Sequence, residues 1–137
     1  MRAYLPLTLN ELSLAEPPNR PAVFATPSPA LTSEETEEVL EDALGEASYE
    51  SLELVHQSGA APARVVAAGS ADPAVGHFES WDQAQSLMVD GPEAQGLIAK
   101  LLAATDQGEV NSLIDAVFDH PLAWHDASER GALVPTN

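Results

Sequence analysis

Cysteine is absent and basic residues are few, and each scarcity excludes a class of protein. Without cysteine the chain has no disulfide, no thiolate nucleophile and no sulfur ligand for a metal. Five Lys and Arg stand against 22 Asp and Glu, which gives a formal net charge of −17. Nucleic-acid binding depends on basic groups that displace counterions from phosphates, so we expect no direct nucleic-acid partner. An anionic membrane surface is disfavoured for the same reason.

Long apolar runs are also absent. None approaches the roughly 18 residues that a membrane-spanning helix needs. The opening MRAYLPLTLNEL has a short apolar stretch interrupted by Pro6 and lacks the small-residue pattern of a signal-peptide cleavage site. We therefore expect a cytoplasmic protein. What is present, 137 residues of which 45% are apolar, suits a single domain with its own core.

Strand and helix patterns alternate along the chain. The pattern favours an α/β fold in a single domain, with an open mixed sheet of five to six short strands covered by three to four helices. The alternative is an α+β two-layer sandwich. We expect residues 1–129 to form the domain and residues 130–137 to form a C-terminal tail. The strand candidates are 2–7, 22–26, 64–68, 77–81, 86–89 and 122–127, and the helix candidates begin near residues 8, 33, 92 and 106.

The helix predicted over residues 33–57 carries acids on every face except its apolar stripe. Nine acids and no base occur between residues 34 and 53. These acids are Glu34, Glu35, Glu37, Glu38, Glu41, Asp42, Glu46, Glu50 and Glu53. Such a face can simply keep a protein in solution. It can also bind a basic protein surface, and Tyr49, nearly opposite the stripe, is an aromatic that could anchor a partner.

These acids define our first functional hypothesis, a non-enzymatic interaction or accessory protein. Its candidate partner-binding residues are Glu37, Glu41, Tyr49 and Glu50, and its partner is a basic protein or a second copy of the chain. No phosphate-binding loop and no G-x-S-x-G nucleophile motif occurs. We assign no catalytic residue, no cofactor and no metal.

A second hypothesis is a small-molecule-binding or hydrolytic domain. In open α/β sheets, ligands bind at the carboxyl ends of the strands. Thr8, Thr26 and Asp90 follow predicted strands, and His120 and His125 flank or lie in the last strand. We therefore expect any pocket to gather Thr8, Thr26 or Asp90 beside His120 or His125.

Trp124 is predicted to lie in the core. Alternation along the last strand places Leu122 and Trp124 on one face, and we expect that face to close against the helix carrying Phe118. Truncation of a buried Trp costs about 3–5 kcal/mol, so Trp124→Ala should badly destabilise the protein. The rival interpretation makes Trp124 an exposed anchor for a ligand or partner.

The ends of the chain carry a family resemblance. The opening MRAYLPLTL and the ending DHPLAWHDASE enclose, in order, AVFATPSPAL, ESLELV, RVVAAGSAD and SLMVD. Together these segments resemble a family of small acidic proteins of unknown function from high-GC Gram-positive bacteria. The most specific pieces are the M-R-x-Y-L-P-L-T-L opening and the H-x-L-x-W ending. The resemblance implies one cytoplasmic domain, but it implies no activity and assigns no functional residue.

Overall fold

A computed structural model describes residues 1–26 and 29–135 of the chain. It has one five-stranded sheet in the order β2-β1-β3-β4-β5. The strands are β1 (Arg2–Leu7), β2 (Val23–Phe24), β3 (Val65–Ser70), β4 (Ala84–Val89) and β5 (Ala123–Asp126). The helices are α1 (Ser33–Ser58), α2 (Pro92–Ala103), α3 (Gln107–Phe118) and α4 (Arg130–Leu133). The predicted single domain, with one sheet of five to six strands and three to four helices, is confirmed.

All four strand pairings in this sheet are antiparallel. The carboxyl ends of β1 and β4 therefore lie at one end of the sheet, and those of β2, β3 and β5 lie at the other. The weak strand predicted at 77–81 does not form. Ser80 instead begins a short 3₁₀ turn over Trp81–Gln83, because its hydroxyl accepts a hydrogen bond from the Asp82 N–H at 3.2 Å.

The central strands β1 and β3 are buried on both faces, which explains their nearly continuous apolar sequence. On one face, α1 packs mainly over β1, β2 and β3. The opposite face is covered by loops and short turns rather than by a long helix. Its core includes Leu5, Leu7, Leu12, Val65, Phe78, Leu87 and Val89.

The long helix α1 has a capping signal at each end. At the start, the Glu35 N–H donates to Thr32 Oγ1 at 3.1 Å, and the Thr32 N–H donates to Glu35 Oε1 at 3.4 Å. At the end, Gly59 adopts the left-handed conformation with φ of 68°. In between, the buried Ser51 hydroxyl donates to the Leu7 carbonyl at 2.7 Å and accepts from the Val65 N–H at 2.8 Å. Ser51 therefore fixes the helix to β1 and β3.

Helices α2 and α3 pack together against the C-terminal half of α1. A small apolar cluster joins the three helices, and it consists of Leu52, Val55, Ile98 and Val117. Pro92 stands in the first turn of α2, where its missing N–H costs nothing. The Asp106 side chain caps α3 by accepting from the Glu109 N–H at 3.0 Å. None of the helices in the described residues is long and apolar enough to cross a membrane.

The segment predicted as a tail, 130–137, contacts the domain through its described residues. Arg130 Nη1 donates to the Leu12 carbonyl at 2.6 Å, and its guanidinium lies 4.6 Å from the centre of the Trp81 ring. Leu133 packs against the core. One arginine and two apolar side chains, Leu133 and Val134, make these contacts, and so short a segment leaves no periodic pattern for a sequence-based prediction. Residues 136 and 137 lie outside the described residues.

The prediction of a buried Trp124 is wrong. β5 is the edge strand, and Trp124 pairs with Met88 on the face of the sheet that α1 covers. Because α1 lies mainly over β1, β2 and β3, the rim of that face is open and Trp124 is 62% exposed. Alternation correctly separates Trp124 from His125, but it cannot tell how far a helix extends across the sheet.

We expect Trp124→Ala to change the free energy of unfolding by less than about 1 kcal/mol, as is usual for exposed positions away from packed features. Phe78→Ala is the matched comparison, because Phe78 is only 2% exposed. Its truncation should cost about 3–5 kcal/mol. Urea denaturation of both variants measures the difference. An equal or greater loss in Trp124→Ala would show that this ring belongs to a packed core.

Candidate functional site

The most buried charged groups are Arg64 and Asp90, whose side chains are 3% and 0% exposed. Arg64 Nε donates to Asp90 Oδ2 at 2.9 Å, and Arg64 Nη2 donates to Asp90 Oδ1 at 2.8 Å. The Arg64 N–H also donates to Asp90 Oδ2 at 2.8 Å, and the Asp90 N–H donates to the Arg64 carbonyl at 3.1 Å. This bidentate pair joins the start of β3 to the end of β4.

Arg64 also reaches helix α3. Its Nη2 lies 3.1 Å from the Val117 carbonyl and 2.8 Å from the His120 carbonyl, at the C-terminal end of that helix. A positive charge is favourable there because the helix dipole is negative at its C-terminus. The guanidinium lies 5.0 Å from the centre of the Phe118 ring. Asp90 is thus fully engaged in a structural contact.

The predicted pocket residues are divided between two ends and one edge of the sheet. Thr8 follows β1 and Asp90 follows β4 at one end, where the His120 carbonyl also lies. Thr26 follows β2 at the other end, and His125 lies within the edge strand β5. The carboxyl ends of strands lie at one common edge only where the strands are parallel. In this antiparallel sheet they alternate between the two ends, so side chains that follow neighbouring strands are separated.

Thr8 belongs to a hydrogen-bonded turn at the end of β1. Its N–H donates to Glu11 Oε1 at 2.9 Å. Arg20 donates to both carboxylate oxygens of Glu11, at 2.9 and 2.7 Å, and to the Pro6 carbonyl at 2.8 Å. Partial burial raises the pKa of Glu11, but the hydrogen bonds from Arg20 and Thr8 outweigh it, so the pKa lies below its ordinary value.

His125 faces an acid on the turn that follows its strand. Its Nδ1 lies 3.7 Å from Glu129 Oε2. The neighbouring Asp126 accepts hydrogen bonds from Ser128, and these lower its pKa. Among residues 1–26 and 29–135, no group of three or more His, Asp or Glu side chains is placed to hold a metal ion.

The acids of α1 are predominantly exposed, and none of them forms an ion pair with a described residue. The predicted set, however, does not form one patch. Glu37 and Glu41 are one turn apart, but Glu50 follows Glu41 by nine residues, which is two and a half turns and therefore the opposite side of the helix. Glu50 lines a separate cleft with Pro6 and Arg20.

Tyr49 lies on an acidic stripe of α1. We use the name Tyr49 stripe for Asp42, Glu46, Tyr49 and Glu53, which recur at helical spacing and are all exposed. Tyr49 is 52% exposed, and its ring stacks on that of Phe118 with the centroids 6.1 Å apart. Phe118 is itself 38% exposed. An exposed aromatic pair therefore stands among carboxylates that have no basic partner in the described part of the chain.

A groove of about 410 Å³ opens beside this stripe. One wall is the C-terminal half of α1, and the other is made by the end of α2 and the start of α3. Apolar side chains dominate the lining, and Glu53 lies at α1's side of it. The lining residues are Tyr49, Leu52, Glu53, His56, Gln57, Leu101, Leu102, Ala104, Val110 and Ile114.

Sequence reasoning did not single out Arg64, Phe118 or Leu102 as site residues. Arg64 begins the strand predicted at 64–68, and Phe118 belongs to the helix against which Trp124 is predicted to close. The sequence does carry a signal for the ion pair. Arg64 stands directly before one apolar strand, β3, and Asp90 stands directly after the next, β4. The groove left no comparable signal, because it depends on the angle between α1 and the other two helices.

These features define a single-domain protein of mixed α/β architecture, with an antiparallel sheet and an acidic, aromatic helix face. The chain belongs to DUF6912, a family of unknown function whose profile matches residues 1–134. The expected membership of a family of unknown function is thus confirmed. No curated protein and no solved structure matches the chain.

Glu50 and Glu11 should affect stability in opposite directions at neutral pH. Partial burial, together with the charges of Glu46 and Glu53, raises the pKa of Glu50 above its ordinary value. The ionised Glu50 therefore disfavours folding at pH 7, whereas the ionised Glu11, whose pKa is lowered, favours it. We expect Glu50→Gln to raise the melting temperature at pH 7 and Glu11→Gln to lower it.

Both effects should disappear in acid. The Glu50 effect is lost as pH falls through its raised folded pKa, and the Glu11 effect is lost as pH falls from the ordinary value of 4.5 through its lowered folded pKa. Thermal melts of the two variants from about pH 7 to about pH 3 provide the measurement. Shifts of the same sign at pH 7, or shifts independent of pH, would contradict these assignments.

Proposed function

We propose that this protein is a non-enzymatic interaction or accessory protein of the cytoplasm. Its docking face is the Tyr49 stripe, and its partner is a protein with a basic surface. The observation that carries the proposal is the exposed pair of Tyr49 and Phe118 among carboxylates that have no ion pair within the described residues. Exposed aromatic side chains commonly supply the anchoring energy of protein interfaces.

The charge of the chain supports a basic partner. A net charge of −17 gives a negative field that speeds the approach of a positively charged surface. A second copy of the chain fits less well, because two copies of the same acidic face repel each other. Binding by exposed carboxylates should also weaken as salt rises, since the screening length is about 8 Å at physiological ionic strength.

The alternative function, small-molecule binding or hydrolysis at the strand ends, has less support. Asp90 is buried in its pair with Arg64, and Thr8 is part of a turn with Glu11. Thr26 lies at the opposite end of the sheet. The carboxylate nearest to Thr8, Glu11, is held in an ion pair with Arg20 and has a lowered pKa, so it is a poor base for the covalent catalysis that this alternative would need.

The test compares two charge reversals on the same helix. Glu46→Lys with Glu53→Lys alters the acids that flank Tyr49, and Glu37→Lys with Glu41→Lys makes the same change in net charge on another side of α1. A partner obtained by affinity purification is itself purified, and its dissociation constant is measured with each variant. We expect the Glu46/Glu53 reversal to weaken binding at least about tenfold more than the Glu37/Glu41 reversal.

Salt gives a second readout in the same experiment. Binding to the unmodified chain should fall steeply between about 0.05 M and about 0.5 M salt. Equal losses for the two reversals would show that the partner senses the overall field rather than the Tyr49 stripe. A dissociation constant that changes neither with salt nor with the charge reversals would overturn the proposed function.

A further inference from the structure

We propose that the groove beside the Tyr49 stripe is the binding site for a basic amphipathic helix of the partner. The inference rests on the proposed function and deepens it, since it names the structural element that docks. It concerns the groove between α1, α2 and α3, and Tyr49 is the residue of the predicted sites that lines it.

The lining of the groove suits a helix-binding site. The groove is open to solvent, and Leu102 on the wall made by α2 and α3 is 37% exposed. Val110 and Ile114 of α3 are one turn apart and continue this wall, which faces α1. Helix-in-groove recognition uses such a trough, into which apolar residues of the incoming helix insert at positions i, i+3, i+4 and i+7.

The aromatic pair extends this apolar surface. Tyr49 lines the groove, and Phe118 stacks on it with ring planes inclined by only 25°. Phe118 is held in turn by the Arg64 guanidinium, 5.0 Å from its ring centre. Rigid aromatic groups of this kind bind with little loss of conformational entropy, so they suit the centre of an interface.

Charge complementarity selects a basic helix. Of the described residues that line the groove, Glu53 carries a negative charge and His56 is the one that could carry a positive charge. Glu46 lies seven residues before Glu53, about two turns or about 10.5 Å along the stripe. A docked helix lying along α1 would therefore place Lys or Arg about two turns apart beside its apolar face.

The test uses two synthetic peptides of identical Leu, Lys and Ala composition. In one peptide Leu recurs at helical spacing and Lys flanks that face, and in the other the same residues are scrambled so that no face forms. Fluorescence anisotropy measures binding of each labelled peptide to the full 137-residue chain. We expect the amphipathic peptide to bind at least about tenfold more tightly than the scrambled peptide.

Two matched substitutions of exposed leucines locate the site. Leu102→Asn alters the groove, and Leu14→Asn makes the same change at a residue that does not line it. The first should weaken the amphipathic peptide about fivefold by removing apolar contact, whereas the second should leave its affinity unchanged. Equal effects of the two substitutions would overturn the groove as the binding site.

The outcomes separate this inference from the proposed function. Equal binding of the two peptides, lost for both in the Glu46→Lys, Glu53→Lys variant, would leave the acidic docking face in place and overturn the helix-binding groove. Failure of both peptides to bind at low salt would overturn the groove inference, while the proposed function would still be decided by its own partner measurement.

Discussion

The buried ion pair of Arg64 and Asp90 connects the end of the sheet to helix α3. Two charges removed from water are stable only when their hydrogen bonds are satisfied, and here the pair is bidentate, with further bonds to main-chain groups. One side of the pair closes β3 against β4 at the end of the sheet. The other side holds the C-terminal end of α3 through two carbonyl oxygens. One guanidinium thus ties the C-terminal end of α3 to the end of the sheet, in addition to the apolar cluster that α3 shares with α1 and α2.

A continuous series of contacts leads from this pair to the surface. Arg64 lies under the Phe118 ring, Phe118 stacks on Tyr49, and Tyr49 stands in the acidic stripe of α1. The same α3 position sets one wall of the groove. The interior contact is structural, and the exposed end of the series is where we propose that a partner binds. A shift of α3 would therefore change the interaction surface without altering any residue of α1.

Local signals in the sequence predicted the elements better than their arrangement. The helix predicted from residue 33 and the strand predicted at 64–68 correspond to α1 and β3, because both patterns depend on neighbouring residues. The site needed tertiary information. Helical spacing could separate Glu50 from Glu41, but only the packing of α3 reveals that Tyr49 stacks on Phe118. The prediction of a buried Trp124 is wrong because the exposure of this residue depends on how far α1 extends over the sheet, and no pattern within β5 encodes that extent.

Hydrogen–deuterium exchange of an Asp90→Asn variant tests most directly whether this pair holds α3. The substitution keeps the shape of the side chain but removes the charge that Arg64 requires, and breaking a buried pair in this way is strongly destabilising. Our account predicts faster exchange in the amides of α3, Gln107–Phe118, while the central strands β1 and β3 stay protected. Unchanged protection of α3, or an equal loss of protection in α3 and the central strands, would contradict it.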